Sequence, residues 1–201
     1  MGIITEISQQ KNKKRVNLFV DNEFRSGLNV ETAVKFGLKT GKYIDDVKLD
    51  EIIMESETMS AFDVSLNFLS LMPKSEYEVK QKLFKKGFSK IVIESTIEKL
   101  REYHYVDDQE YAKLYISSCS KKSKREIENK LRGKGVKKEI IDELLADVDD
   151  ELEEENAIIF ANKYIKNKVL DEKTKRNLIA NLVRRGYSYD LAIKVLDKIE
   201  V

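Results

Sequence analysis

The stretch LFKKGF (Leu83–Phe88) returns as LRGKGV (Leu131–Val136) and again as LVRRGY (Leu182–Tyr187), at offsets of 48 and 51 residues. Four residues after each leucine stands a glycine, which adopts a left-handed backbone without steric cost and so ends a helix at the C′ position. The leucine is then C3, and the next residue, Phe88, Val136 or Tyr187, is C″; these two side chains meet in a Schellman ending. The phrase is a helix stop used three times.

What precedes each stop supports that reading. Ser75 with Glu78, and Ser123 with Glu126, match the capping box, in which the serine oxygen accepts the N3 amide and the glutamate reaches back to the cap amide. Thr174 takes the same place in the third copy, with Asn177 at the reciprocal position. Val79 and Leu83, Ile127 and Leu131, and Leu178 and Leu182 lay an apolar stripe on one face of each capped helix. A second helix follows each stop, carried by Val92, Ile93, Thr96 and Ile97, by Ile140, Ile141, Leu144 and Leu145, and by Leu191, Ala192, Val195 and Leu196. Another precedes each cap, over 60–71, 107–118 and 150–165. The unit is three helices of about 48 residues, repeated three times. Neighbours in such an array lend each other buried surface, so a tandem, elongated body is expected.

Before the array the period changes from helical to alternating. IITEIS, RVNLFV and EFRSGL read as strands, with Val16, Leu18 and Val20 facing inward and Asp21-Asn22 as a two-residue hairpin turn. Val30–Phe36 reads as a short helix closed by Gly37, and 45–71 as one or two helices halted before Pro73, whose ring forbids smooth continuation. The expected class is therefore mainly α: a small antiparallel β extension with a short helix over 1–50, then three-helix repeats over 51–105, 106–149 and 150–201.

Composition narrows the function. The chain of 201 residues has 37 Lys and Arg against 36 Asp and Glu, so net charge gives no argument for a nucleic-acid partner, and placement must carry that case. A lone cysteine makes no internal disulfide, and no run approaches the roughly 18 apolar residues of a membrane span. A cytoplasmic protein without membrane contact is expected. The glycines form neither a dinucleotide fingerprint nor a phosphate loop. The single histidine, His104, has no second imidazole for a metal site, and Cys119 has no partner base. Both read as packing or surface residues. Catalysis, a cofactor and a metal are not expected.

Charge placement is uneven. From Lys121 to Lys138 nine basic residues face two acidic ones, whereas from Asp142 to Glu155 there are nine acidic residues and no basic one. Such runs are either solvated faces that pair internally or a strip that follows a phosphate backbone or an acidic protein surface. The candidate contact residues are Lys85, Lys86, Lys121, Lys122, Lys124, Arg125, Arg132, Lys134, Arg184 and Arg185; those at helix ends also complement the helix dipole. A helix-turn-helix transcription regulator is the alternative. The helices after Gly87, Gly135 and Gly186 begin SKIVIE, KKEIID and SYDLAI, which offer little to base edges.

The segment from Pro73 to Phe88, followed by YHYVDDQEYAKLYI (Tyr103–Ile116), resembles the RecX family, regulators of the bacterial recombinase RecA. The copies at 123–136 and 174–187 resemble its second and third repeats, and the N-terminal sheet resembles the extension of Gram-positive members. The resemblance implies a monomeric, non-enzymatic modulator. Its partners would be the RecA filament and single-stranded or double-stranded DNA, and it would suppress ATP hydrolysis, strand exchange and coprotease activity. Tyr103, Tyr105 and Tyr111 are expected to pack the joint between the first two repeats.

Overall fold

The computed structural model describes residues 1–119 and 121–199. The chain forms two compact units that divide after Val106.

In the first unit, β1 (Gly2–Gln9), β2 (Arg15–Val20), β3 (Glu23–Asn29) and β4 (Tyr43–Ile44) form an antiparallel sheet in the order β3-β2-β1-β4. Asp21 and Asn22 take φ of 54° and 69°, the double positive value of the hairpin turn that matches strand twist. The Asp21 carboxylate accepts the Ile3 amide at 2.9 Å and so ties this turn to β1. β4 pairs only two residues, Gly2 with Ile44 and Ile3 with Tyr43, too few for any alternation to reveal it in the sequence. The short helix α1 (Val30–Lys35) ends as expected, with Gly37 at φ 57°.

The span 45–71 is one 24-residue helix, α2 (Asp46–Leu69), capped by Asp45, rather than a repeat helix starting at Ser60. Its first half places Leu49 and Ile52 in the core under the sheet, with Ile4, Leu18, Val20 and Leu28. Its second half places Ala61 in the first-repeat core, with Val79, Leu83, Ile93, Ile97 and Leu100. Two cores draw on two faces of the same helix, so no single apolar stripe marks it. Where the faces exchange, Ser56 is buried and its hydroxyl accepts the Asn29 amide at 2.7 Å, satisfying the end of β3.

Around the second half of α2 stand α3 (Glu76–Lys85) and α4 (Lys90–Glu102). The capping box at Ser75 is complete, with both reciprocal bonds at 3.3 Å. The stop is equally regular: Gly87 lies at φ 86°, the Phe88 amide donates to the Leu83 carbonyl at 3.3 Å and the Gly87 amide to Phe84 at 2.9 Å. α4 closes in the same way on a residue that is not glycine. His104 takes φ 56°, its amide donates to Arg101, and the Tyr105 amide donates to Leu100 at 2.8 Å. The only histidine is a C′ residue. Tyr103 and Tyr105 stay 62% and 51% exposed and pack edge-on against Phe62 of α2.

The second unit contains α5 (Asp108–Ser118), α6 (Lys124–Gly133), α7 (Lys138–Ala146), α8 (Asp150–Ile165), α9 (Glu172–Arg184) and α10 (Tyr189–Ile199). Each trio has its own core: Ala112, Ile127, Leu131, Val136 and Ile141 in one, and Ala157, Ala161, Leu178, Leu182, Tyr187, Ala192 and Val195 in the other. Cys119 packs against the former and Tyr111 stacks on Tyr115. Both stops are Schellman endings, with Gly135 at φ 78° and Gly186 at φ 100°. The caps differ from the sequence reading. Asp171, not Thr174, caps α9, accepting the Thr174 amide at 2.7 Å, so that helix begins a turn earlier. Ser123 accepts the Glu126 amide, but the Glu126 carboxylate pairs with Lys122 at 3.1 Å. No helix among the described residues is long and apolar enough to cross a membrane.

Two of the left-handed glycines, Gly87 and Gly186, differ in what a side chain would meet, which orders their substitutions. A Cβ at Gly87 meets nothing within 4 Å and bears only the backbone cost, whereas one at Gly186 falls 2.6 Å from the Ser123 hydroxyl. Gly87→Ala should therefore destabilise by about 1–2 kcal/mol, and Gly186→Ala by about 1–3 kcal/mol more. His104→Gly should stabilise by about 1 kcal/mol, raising the melting temperature by about 2–4 °C. Calorimetry in which Gly186→Ala melts no lower than Gly87→Ala would contradict this ordering.

Candidate functional site: a basic groove in the second unit

The N-terminus of α6 is held from two sides. Ser123 Oγ accepts the Glu126 amide at 3.1 Å and donates to the Arg185 carbonyl at 2.6 Å, so one buried hydroxyl joins the cap of α6 to the stop of α9. Gly186 permits that approach because a Cβ would occupy the hydroxyl's place. On the other side the Lys124 amide donates to Glu153 at 2.8 Å, and its ammonium meets Asp150 at 2.6 Å, both on the first turn of α8. The acidic block thus meets the start of the basic strip.

The convergence of α6 with the end of α9 leaves a groove of about 730 Å³, lined by Arg125, Asn129 and Lys130 from α6 and by Asn181, Arg184 and Arg185 beside the third stop. The Arg184 guanidinium donates to Asn181 Oδ1 at 2.6 Å, and the Arg185 guanidinium lies 4.1 Å from the Phe160 ring centre, so both are held in place. Glu126 also lines the groove, but its charge is engaged by Lys122. Among the described residues no carboxylate pairs with Arg125 or Lys130. Four cationic side chains with two amides make a surface that accepts phosphate or carboxylate oxygens by charge-assisted hydrogen bonds.

The ten sequence candidates separate. Arg125, Arg184 and Arg185 meet in this groove, although the first two are 59 positions apart in the chain. Lys122, Lys124 and Arg132 are paired within the unit, with Glu126, Asp150 and Glu128. Lys134 is the C-cap of α6, and Lys121 is exposed in the turn before that helix. Lys85 and Lys86 are exposed at the end of α3 in the first unit. Lys130, Asn129 and Asn181 were not candidates, and only the convergence of the two helices singles them out. No group of three or more His, Cys, Asp or Glu among the described residues is placed to hold a metal ion.

An antiparallel sheet followed by three-helix domains, with paired and unpaired basic side chains at their helix ends, defines a modular, mainly helical protein. The comparisons identify the family. Models of the regulatory protein RecX N-terminal domain, of the first RecX three-helix domain and of the second match residues 2–45, 61–100 and 107–145. The regulatory protein RecX of Clostridium acetobutylicum is 38% identical over 204 residues, covering 98% of this chain and 95% of that protein. That of Bacillus subtilis is 34% identical over 206 residues, covering 100% of this chain and 78% of that protein. A crystal structure of regulatory protein RecX has the same fold, with a TM-score of 0.76 at 24% identity, covering 98% of this chain and 100% of that one. The chain belongs to the RecX family.

Two carboxylates of α8 contribute to the behaviour of the second unit in acid. Hydrogen bonding to Lys124 lowers the Asp150 pKa from its ordinary 3.8, and bonds to Lys194 and Lys198 lower that of Glu154 from 4.5. Folded-state values below the unfolded ones mean that this stabilisation is fully present above the unfolded pKa and is lost as pH falls through the folded pKa. Urea midpoints should be flat from pH 7 to about pH 5 and decline below it. Glu154→Gln should make that decline shallower; an unchanged decline would refute the assignment.

Proposed function

We propose that this protein regulates the recombinase RecA without chemistry of its own: it binds RecA filaments on single-stranded DNA and inhibits ATP hydrolysis, strand exchange and coprotease activity. Family membership supplies the partner, and the observation that carries the mode of contact is the groove of Arg125, Lys130, Arg184 and Arg185. A filament offers two polyanionic surfaces, the DNA phosphates and acidic protein, and either is a ligand for that cluster. Paired three-helix domains allow several weak contacts along one filament, which multiply in effect when they bind together. The protein acts in the cytoplasm as a monomer.

Charge reversal tests the reading. Arg125→Glu with Arg184→Glu leaves the Ser123–Arg185 contact and both cores untouched. The variant should need about tenfold or more protein for half-inhibition of RecA ATPase on single-stranded DNA, as for loss of two charge-assisted contacts. Arg132→Glu, at a residue paired internally with Glu128 and outside the groove lining, should cost far less. Equal inhibition by the native protein and the double variant would remove the groove from the mechanism.

A further inference from the structure

The outward side of α3 in the first unit is chemically unlike its counterparts. At equal distance from the stop, the three capped helices carry Tyr77 and Phe84, Arg125 and Arg132, and Arg176 and Val183. Seven residues is two helical turns, so Tyr77 and Phe84 lie on one side of α3, about 10 Å apart along its axis. Neither is needed by the core. Tyr77 is 46% exposed and Phe84 71% exposed, while Val79 and Leu83 on the opposite side are fully buried.

The charge around this pair is positive once internal partners are assigned. Glu76 bonds to Arg101, Glu78 reaches back to the Ser75 amide and Glu94 binds Lys80. Lys85 and Lys86 extend from the last turn beside Phe84, and no carboxylate pairs with either among the described residues. Exposed aromatic faces set among unpaired lysines match the chemistry of unpaired nucleotides, which present a π-face and a phosphate together. A duplex keeps its base faces stacked inside and so offers its phosphates without an accessible π-face.

We propose that Tyr77 and Phe84, with Lys85 and Lys86, form a stacking platform for single-stranded nucleic acid on the first unit, separate from the basic groove of the second. It deepens the DNA-binding part of the function proposed above and does not depend on RecA.

The test uses the intact chain without any recombinase, and fluorescence anisotropy with a labelled oligothymidylate, an abasic strand of equal length and a duplex. Tyr77→Leu/Phe84→Leu preserves helix propensity and core, and circular dichroism checks its fold. It should bind oligothymidylate about tenfold or more weakly, bind the abasic strand as the native protein does, and keep the native salt dependence. Lys85→Gln/Lys86→Gln should weaken binding to both strands and make the salt slope shallower by about 1.4. A strand containing 2-aminopurine gives a second reading: its emission should change on binding the native protein and not the leucine variant. Native-strength binding of oligothymidylate by the leucine variant would overturn the proposal, as would an equal loss on the abasic strand. Normal DNA binding with lost inhibition of RecA would instead make this face a protein contact, and so also overturn it. Failure of the RecA function would leave the DNA measurements as predicted.

Discussion

Among the described residues, a left-handed residue four positions past an inward-facing residue closes five helices. Leu83, Leu131 and Leu182 are followed by Gly87, Gly135 and Gly186, Ala33 by Gly37, and Leu100 by His104. In every case the amide of the next residue returns to the carbonyl of the inward-facing one, satisfying a group that the helix end would otherwise leave without a partner. That bond also reverses the chain over the buried side chain and directs the following helix back across it. The cores of the three repeats depend on this geometry, because each places a fully buried leucine beneath its own stop. His104 shows that the conformation matters more than the residue type: a site that needs positive φ keeps it even where glycine is absent, at a backbone cost of roughly 1–2 kcal/mol.

The stops, stripes and most element boundaries were legible because their causes lie within one or two helical turns. A serine three residues before a glutamate, or a glycine four after a leucine, describes a closed hydrogen-bond ring, and local chain geometry decides whether it forms. Where several local partners compete, sequence is less decisive. Thr174 and Asp171 both offer an oxygen near the start of α9, and the aspartate, a stronger cap with a favourable charge at the positive helix end, takes the role and lengthens the helix. α2 was illegible for another reason, since its two halves serve different cores and no single face repeats along it. β4 exists only because β1 presents an edge to it.

The same distinction explains the charges. The basic strip looked continuous along the sequence, but pairs such as Lys122 with Glu126 and Arg132 with Glu128 are neutralised one turn away, which spacing on a helix alone predicts. The pairing of Lys124 with Asp150 and the meeting of Arg125 with Arg184 are products of packing between trios. That packing turns on one atom, the Ser123 hydroxyl, which must accept from its own helix and donate to the Arg185 carbonyl. The glycine stop of the third repeat thus has two functions. It ends α9, and by lacking a Cβ it admits that hydroxyl and sets the width of the groove.

Repetition with a constrained inside and an unconstrained outside is a route to different surfaces on one scaffold. Cap, buried stripe and stop occupy the inner positions of each capped helix, and substitutions there meet a packed core or a strained backbone. The outer positions lie outside the cores, so Tyr77 and Phe84 in the first repeat, and Arg125 and Arg132 in the second, cost the fold little. Chemistry on that face is therefore selected by whatever lies outside the protein. An aromatic pair exposed to water has no intramolecular reason to be there, whereas arginines at the equivalent positions are ordinary surface residues. The contrast between the repeats, more than either patch alone, is what the stacking platform proposed above rests on.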